Sequence, residues 1–267
     1  MRVGIVARVD DPLDLQMVAK VIRLLKGEEV LLEPGLAKKM GRKPGTVQEL
    51  RKCNAIVTVG GDGTVLFAQR LAPEVPILGI NLGRRGFLAD VNPNDVRRAL
   101  QGLRKGKLNI VTRSRLAAKV GEKELPEALN DIVISSGVLG KTASLEVSID
   151  GREALDFRCD GIIIATPTGS TAYTHAAGGP VIDPRLESIA VTPICPVHPR
   201  QCSIVIPAES LVEVTPTRPG REALVIVDGV PAAKVLQGEK VKVQRSRNCA
   251  RFFEWEGFYR KIKERLL

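Results

Sequence analysis

The apolar run Ala55–Val59 ends directly on Gly60-Gly61-Asp62-Gly63-Thr64, and Val65–Leu71 continues the chain in helix-compatible residues. A buried strand, a glycine loop and a helix in immediate succession point to an α/β layer fold. Glycines let a backbone turn sharply and approach a ligand with no Cβ in the way. Amides at a loop or helix start then point outward, where they suit phosphate oxygens. A carboxylate in such a cradle is repelled by phosphate unless it accepts a proton from an attacking hydroxyl or holds Mg²⁺ between phosphates. Asp62 is therefore the candidate proton acceptor, and Gly60, Gly61, Gly63 and Thr64 form the candidate phosphate-donor loop. The competing reading is a tight turn in which Asp62 caps the following helix.

The flanking pattern supports the layer fold. Val3–Val9 reads as a buried strand, Asp11-Pro12 as an N-cap followed by proline at the first helical position, and Gly27 as a helix stop. Leu15, Val18, Ile22 and Leu25 share one helical face. Val30-Leu31-Leu32 and Ile77–Asn81 are further strands, Thr46–Glu49 has capping-box spacing, and Asn94–Leu103 is helical. From about Leu108 the texture becomes β-rich, with short apolar runs such as Ile132–Ile134, Leu145–Ile149, Gly161–Ala165, Ser203–Ile206, Leu211–Val214 and Leu224–Val227. Aromatics then gather at Phe252, Phe253, Trp255, Phe258 and Tyr259, and Lys261–Leu267 reads as a helix. The expected architecture is an α/β N-terminal domain over 1–107, a β-rich domain over 108–240, and a tail, 241–267, that packs back on the first domain.

A net charge of +10 suits either nucleic acid or small polyanions. The positive charges are dispersed apart from short runs such as Lys38-Lys39 and Arg84-Arg85, and aromatics are only 3%. Stacking platforms for single strands are therefore scarce, which favours nucleotides or their phosphates over nucleic acid. No run approaches the ~18 apolar residues of a membrane span, and early charges spoil a signal peptide. A cytoplasmic location is the resulting expectation. Cys53, Cys159, Cys195, Cys202 and Cys249 share no spacing and read as reduced thiols.

Two look-alike motifs fail on spacing. Gly137-Val138-Leu139-Gly140-Lys141-Thr142 has two residues where a P-loop has four, and a strand-like run follows it. Cys195, His198 and Cys202 lack a nearby fourth zinc-type ligand; no metal site is expected from protein ligands. Thr166-Pro167-Thr168-Gly169-Ser170-Thr171-Ala172-Tyr173, after the strand from Gly161, offers hydroxyls for ribose or phosphate and a phenol that can stack. A hydroxyl-capped turn is its bland alternative.

Taken in order, these elements resemble the NAD kinase family. The resemblance rests on Gly60–Thr64, Asn81-Leu82-Gly83 with Gly86-Phe87-Leu88, Leu129-Asn130-Asp131, Asp160-Gly161 with Thr166–Tyr173, Gly178-Gly179-Pro180, and Asp228-Gly229. The glycine loop is shared with lipid kinases and phosphofructokinases, whereas the hydroxyl run is more specific. The resemblance implies transfer of a phosphoryl group from ATP, another nucleoside triphosphate or polyphosphate to the 2′-hydroxyl of NAD's adenosine ribose. It implies Asp62 as general base, with Gly63 beside the substrate. Asn130 and Asp131 would grip the ribose and adenine, and Lys141 falls where the family often has a basic residue. Arg158 and Asp160 would stand at the entry to the hydroxyl run. There Asp160 would bond the nicotinamide end or a neighbouring subunit's ligand. Thr171, Ala172 and Tyr173 would line the dinucleotide pocket, and Asp228 would approach the ligand from a late loop. Ala176 stands where many members have serine, and Phe67 where many have a polar or basic residue.

Further expectations follow from the resemblance. A divalent metal, Mg²⁺, would be held mainly by the donor's phosphates. The chain would form a homodimer or homotetramer through the β-rich domain, without nucleic-acid or membrane partners. The alternatives are a lipid or other alcohol kinase of the same superfamily, a basic nucleic-acid-binding module, and a regulatory NAD-binding protein without catalysis.

Overall fold

The computed structural model describes residues 1–8, 12–83, 86–138, 140–197 and 202–266. The expected N-cap Asp11, the Arg84-Arg85 pair and the zinc-type residue His198 lie outside them. Two compact units divide the chain, Met1–Thr112 with Ala250–Leu267, and Arg113–Cys249.

The first unit begins with β1 (Arg2–Ala7), α1 (Pro12–Leu24), β2 (Glu29–Leu32), α2 (Pro34–Lys39) and α3 (Val47–Leu50). It continues with β3 (Ala55–Gly60), α4 (Asp62–Leu71), β4 (Ile77–Asn81) and α5 (Val96–Arg104). The strands lie parallel in the order β2-β1-β3-β4. Val3, Ile5, Val57, Val59, Leu78 and Ile80 are buried with Val18, Val21 and Leu25 of the α1 segment and with Ala99 and Leu100 of α5. Helices covering a parallel sheet explain why these strands read as unbroken apolar runs. The Thr46 capping box forms: Glu49 N donates to Thr46 Oγ1 at 3.2 Å, and Thr46 N donates to the Glu49 carboxylate at 2.8 Å. Helix α2 went unread in the sequence; Glu33 accepts from Gly35 N and Leu36 N at its start, and Pro34 opens it. The register pairs Ala7 with Val59 and Gly60 with Asn81, so β1, β3 and β4 end together. Ligands of open α/β sheets bind beyond the carboxyl ends of the strands.

Strand β5 (Ile110–Val120) leads into the second unit, which contains β6 (Lys123–Glu124), β7 (Asp131–Ser136), β8 (Ala143–Ile149), β9 (Arg152–Cys159) and β10 (Gly161–Ala165). A 3₁₀ turn at Gly169–Thr171 and α6 (Tyr173–Ala176) follow, then β11 (Ser188–Ile194), β12 (Ile204–Pro207), β13 (Val212–Pro216), β14 (Ala223–Val227) and β15 (Val230–Val235). Strand β16 (Val241–Phe253) returns the chain to the first unit, where α7 (Phe258–Arg265) ends it. Six antiparallel strands run in the order β12-β11-β10-β7-β14-β15. Strand β13 pairs with β8 and with the start of β16, and β8 pairs with β9. Ile132, Ile134, Ile162 and Ile164 enter one core with Leu145, Val147 and Phe157, while Val133, Ile163 and Ala165 enter a smaller one with Ile182 and Ile194. Both faces of β10 and of the Ile132–Ile134 part of β7 are therefore buried, which accounts for their apolar runs. An α/β first unit and a β-rich second unit agree with the reading from sequence.

Candidate active site

In the first unit the glycine loop joins β3 to α4. Gly60 has φ +148°, and a Cβ there would stand 2.3 Å from Thr64 Oγ1, so the turn requires glycine. Gly61 is the N-cap of α4 and makes no side-chain cap bond. Thr64 N turns back to Gly61 O at 3.0 Å, and among the described residues the amides of Asp62 and Gly63 are left to a ligand or solvent. Arg8, Asp14, Gly60, Gly61, Gly63, Thr64, Leu82 and Gly83 line a cavity of about 320 Å³ beside this helix start. A Cβ on Gly63 would lie 3.9 Å from the Arg8 guanidinium. The cavity thus combines a helix N-terminus with a cation, which suits phosphate. Arg8 and Asp14 escaped the sequence reading, although Arg8 directly follows β1, at the edge where α/β sheets place ligands.

Asp62 heads α4, yet it does not cap that helix. Its Oδ2 accepts from Phe87 N at 2.7 Å, and its Oδ1 accepts from Leu88 N and Ala89 N at 2.9 Å each. The turn-and-cap alternative is thereby set aside. A carboxylate oxygen has two lone-pair sites, so Oδ1 is filled, while among the described residues Oδ2 takes a single donor. The approach is close: a Cβ on Gly86 would lie 2.7 Å from Ala89 O and 3.0 Å from Asp62 Oδ1. Asn81 Oδ1 accepts from Gly83 N at 2.8 Å and shapes the start of the same segment.

In the second unit Asn130 and Asp131 are buried at the start of β7. Asp228 holds them in place: its carboxylate accepts from Leu129 N and Asn130 N at 2.8 Å and from Asp131 N at 3.1 Å. Asp228 and Gly229 have φ +45° and +76° in the β14–β15 hairpin. Two-residue hairpin turns favour an Asp-Gly pair because both positions need positive φ. Burial, and then the nearby Asp228 charge, push the Asp131 carboxyl up to about 7.

The hydroxyl run serves largely as internal scaffolding. Thr166 Oγ1 donates to Leu129 O at 2.6 Å and accepts from Gly169 N at 3.0 Å. Ser170 Oγ donates to Pro167 O at 2.6 Å and accepts from Ile182 N at 2.9 Å, and Thr171 Oγ1 donates to Thr168 O at 3.2 Å. Asn130 O accepts from Thr166 N, and a Cβ on Gly169 would sit 2.0 Å from that oxygen. The run thus locks the backbone of 129–131 to 166–170. What it leaves outward is the 45% exposed Tyr173, with Ala176 exposed and Thr171 and Ala172 half-buried. Lys141, Arg158 and Asp160 are exposed. Lys141 immediately precedes Thr142 and β8, so it starts no helix, and Arg158 donates to Thr142 Oγ1 at 3.2 Å. Cys195 and Cys202 are exposed free thiols.

Residues 3–108 match the ATP-NAD kinase N-terminal domain and residues 129–255 the ATP-NAD kinase C-terminal domain. The NAD kinase of Methanothermobacter thermautotrophicus is 35% identical over 274 residues, covering all of this chain and 96% of its own. That of Thermococcus gammatolerans is 38% identical over 259 residues, covering 94% and 93%. Among solved structures, a yeast NADH kinase complexed with NADH superposes with TM-score 0.91 at 25% identity, covering all of this chain and 87% of that one. An Archaeoglobus fulgidus NAD kinase in complex with ATP gives 0.83 at 29% identity, covering 99% of each. Fold and glycine loop define a phosphotransferase. The chain belongs to the NAD kinase family.

Proposed function

We propose how this chain carries out its family's reaction, the ATP-dependent phosphorylation of NAD to NADP. Asp62 takes the proton of the adenosine ribose 2′-hydroxyl as that oxygen bonds to the terminal phosphorus of ATP and the bond to ADP breaks. The observation that carries this assignment is the Asp62 carboxylate, fixed by three amides, with a single donor on Oδ2 among the described residues. A fixed acceptor lowers the orientation cost of the attack. Gly60, Gly61, Gly63 and Thr64 cradle the donor phosphates, and Arg8 adds positive charge. Asn130 and Asp131 bind the adenosine of NAD, and Asp228 acts by positioning them. Thr171, Ala172, Tyr173 and Ala176 line the dinucleotide, with Lys141, Arg158 and Asp160 toward its other end.

The residues fit a Mg²⁺ carried by the donor. Mg²⁺ keeps several waters and uses one or two carboxylates beside substrate phosphates, and among the described residues Asp14 is the carboxylate of the cavity lining. When bound, the metal offsets charge on the phosphate oxygens. We further propose a cytoplasmic homo-oligomer assembled through the second unit, where Val205 on edge strand β12 and Val230 on edge strand β15 are exposed. Among the described residues no helix is long and apolar enough to cross a membrane.

Incubation with NAD, Mg²⁺ and either ATP or polyphosphate, with NADP read by a coupled dehydrogenase, tests the reaction and the breadth of donor. Asp62→Asn should abolish NADP formation while NAD still binds. Turnover at the wild-type rate in that variant would remove Asp62 from the mechanism.

A further inference from the structure

Peptide planes link the C-terminal helix to Asp62. Arg265 Nη1 donates to Gly86 O, and Phe87 N, in the same peptide unit, donates to Asp62 Oδ2. Lys261 Nζ donates to Phe87 O at 3.0 Å, and Leu88 N, in the next peptide unit, donates to Asp62 Oδ1. Each rigid, planar peptide is thus gripped by a cation at its carbonyl and by the carboxylate at its N–H. Hydrogen bonds in such chains polarise and strengthen one another.

The cations are themselves fixed. Lys261 Nζ lies 2.7 Å from Asp90 Oδ2, and Arg265 Nη2 lies 2.8 Å from Glu256 Oε2. Glu256 N also donates to Asp90 Oδ2 at 3.3 Å. All four side chains are at most 11% exposed. Burying two ion pairs is a poor route to stability, since apolar side chains of similar volume often do as well. What the arrangement does secure is the orientation of the 86–87 and 87–88 peptides.

We propose that Lys261 and Arg265 are positioning residues for the reaction, aiming the Gly86–Asp90 loop so that its amides orient the Asp62 carboxylate. This rests on the assignment of Asp62 as proton acceptor. Misplacing a reacting group by about 1 Å costs on the order of 100-fold in rate. In the full-length chain, Lys261→Met and Arg265→Gln should each lower kcat by about 10- to 100-fold. Because NAD binding does not depend on Asp62's aim, KM for NAD should stay within about 2-fold. Arg265→Lys, which keeps a cation, should recover most of the lost kcat. Ile262→Ala, on the same helix, controls for loss of stability and should leave kcat unchanged well below its Tm.

Wild-type kcat in folded Lys261→Met and Arg265→Gln overturns the proposal. So does an equal loss in Ile262→Ala, or a failure of Arg265→Lys to recover activity. If Lys261→Met does not fold, the two Arg265 variants decide. Asp62→Asn is measured alongside. An active Asp62→Asn removes the mechanism itself, whereas an inactive one beside fully active α7 variants removes only the role of α7.

Discussion

Replacing Asp131 by Asn should make the protein more stable and a worse binder of NAD, and the gain in stability should disappear at low pH. Burial and then Asp228 push the Asp131 carboxyl from 3.8 up to about 7. Between those values the native state holds a proton that the unfolded chain has released. The native state then binds more protons at this group, so the contribution of Asp131 to stability is full below 3.8 and is lost as pH rises through about 7. A difference of about three pH units, at 1.36 kcal/mol each, comes to about 4 kcal/mol at pH 8. Asn has nearly the same shape and no charge, so the variant escapes this loss. Urea unfolding at pH 4 and pH 8 measures it: the two proteins should coincide at pH 4, and the variant should be more stable at pH 8 by up to about 4 kcal/mol. Calorimetric titration at pH 8 should show NAD binding weakened by roughly 10- to 100-fold, the range for a hydrogen bond to a charged group. A stability difference of the same size at both pH values, or a less stable variant at pH 8, would refute the reasoning.

Other perturbations probe the remaining contacts. Gly169→Ala places a Cβ 2.0 Å from Asn130 O, and should cost about 1–3 kcal/mol or more and weaken NAD binding; an unchanged Tm would contradict it. Asp228→Asn removes the charge that helps raise the Asp131 carboxyl, so the pH midpoint of NAD binding should move down, as titrations at several pH values will show. Arg8→Ala removes a cation from the cavity and should raise KM for ATP by about 10-fold without changing that for NAD; equal effects on both would place Arg8 elsewhere in the mechanism.

Much of the fold was legible because it rests on local rules. The Thr46–Glu49 box forms because both partners lie within one helical turn. Ile132–Ile134 and Gly161–Ala165 read as short apolar runs of a β-rich region, and both lie in strands, β7 and β10. Strand β16 did not: Lys242, Arg245 and Arg247 interrupt its apolar residues, and its pairing with β13 is set by residues distant in sequence. The hydroxyl run was legible as a special segment but not in its task. The local bonds of the run, to Pro167, Thr168 and Gly169, are those of a hydroxyl-capped turn. Nothing in Thr166–Thr171 says that Thr166 also reaches Leu129 and Ser170 reaches Ile182, because folding alone brings those partners near.

The glycine loop shows the same division. By itself the sequence determined that Gly60–Thr64 turns sharply between a strand and a helix, since backbone sterics and periodicity act over a few residues. It also marked Asp62 as a carboxylate in a phosphate-suited loop. Tertiary structure alone decided where that carboxylate points. The amides of residues 87–89 take hold of it, and side chains of α7, nearly two hundred residues further along, grip the carbonyls of residues 86 and 87. Directional hydrogen bonds between remote segments form only when packing brings those segments together, and no local pattern encodes them.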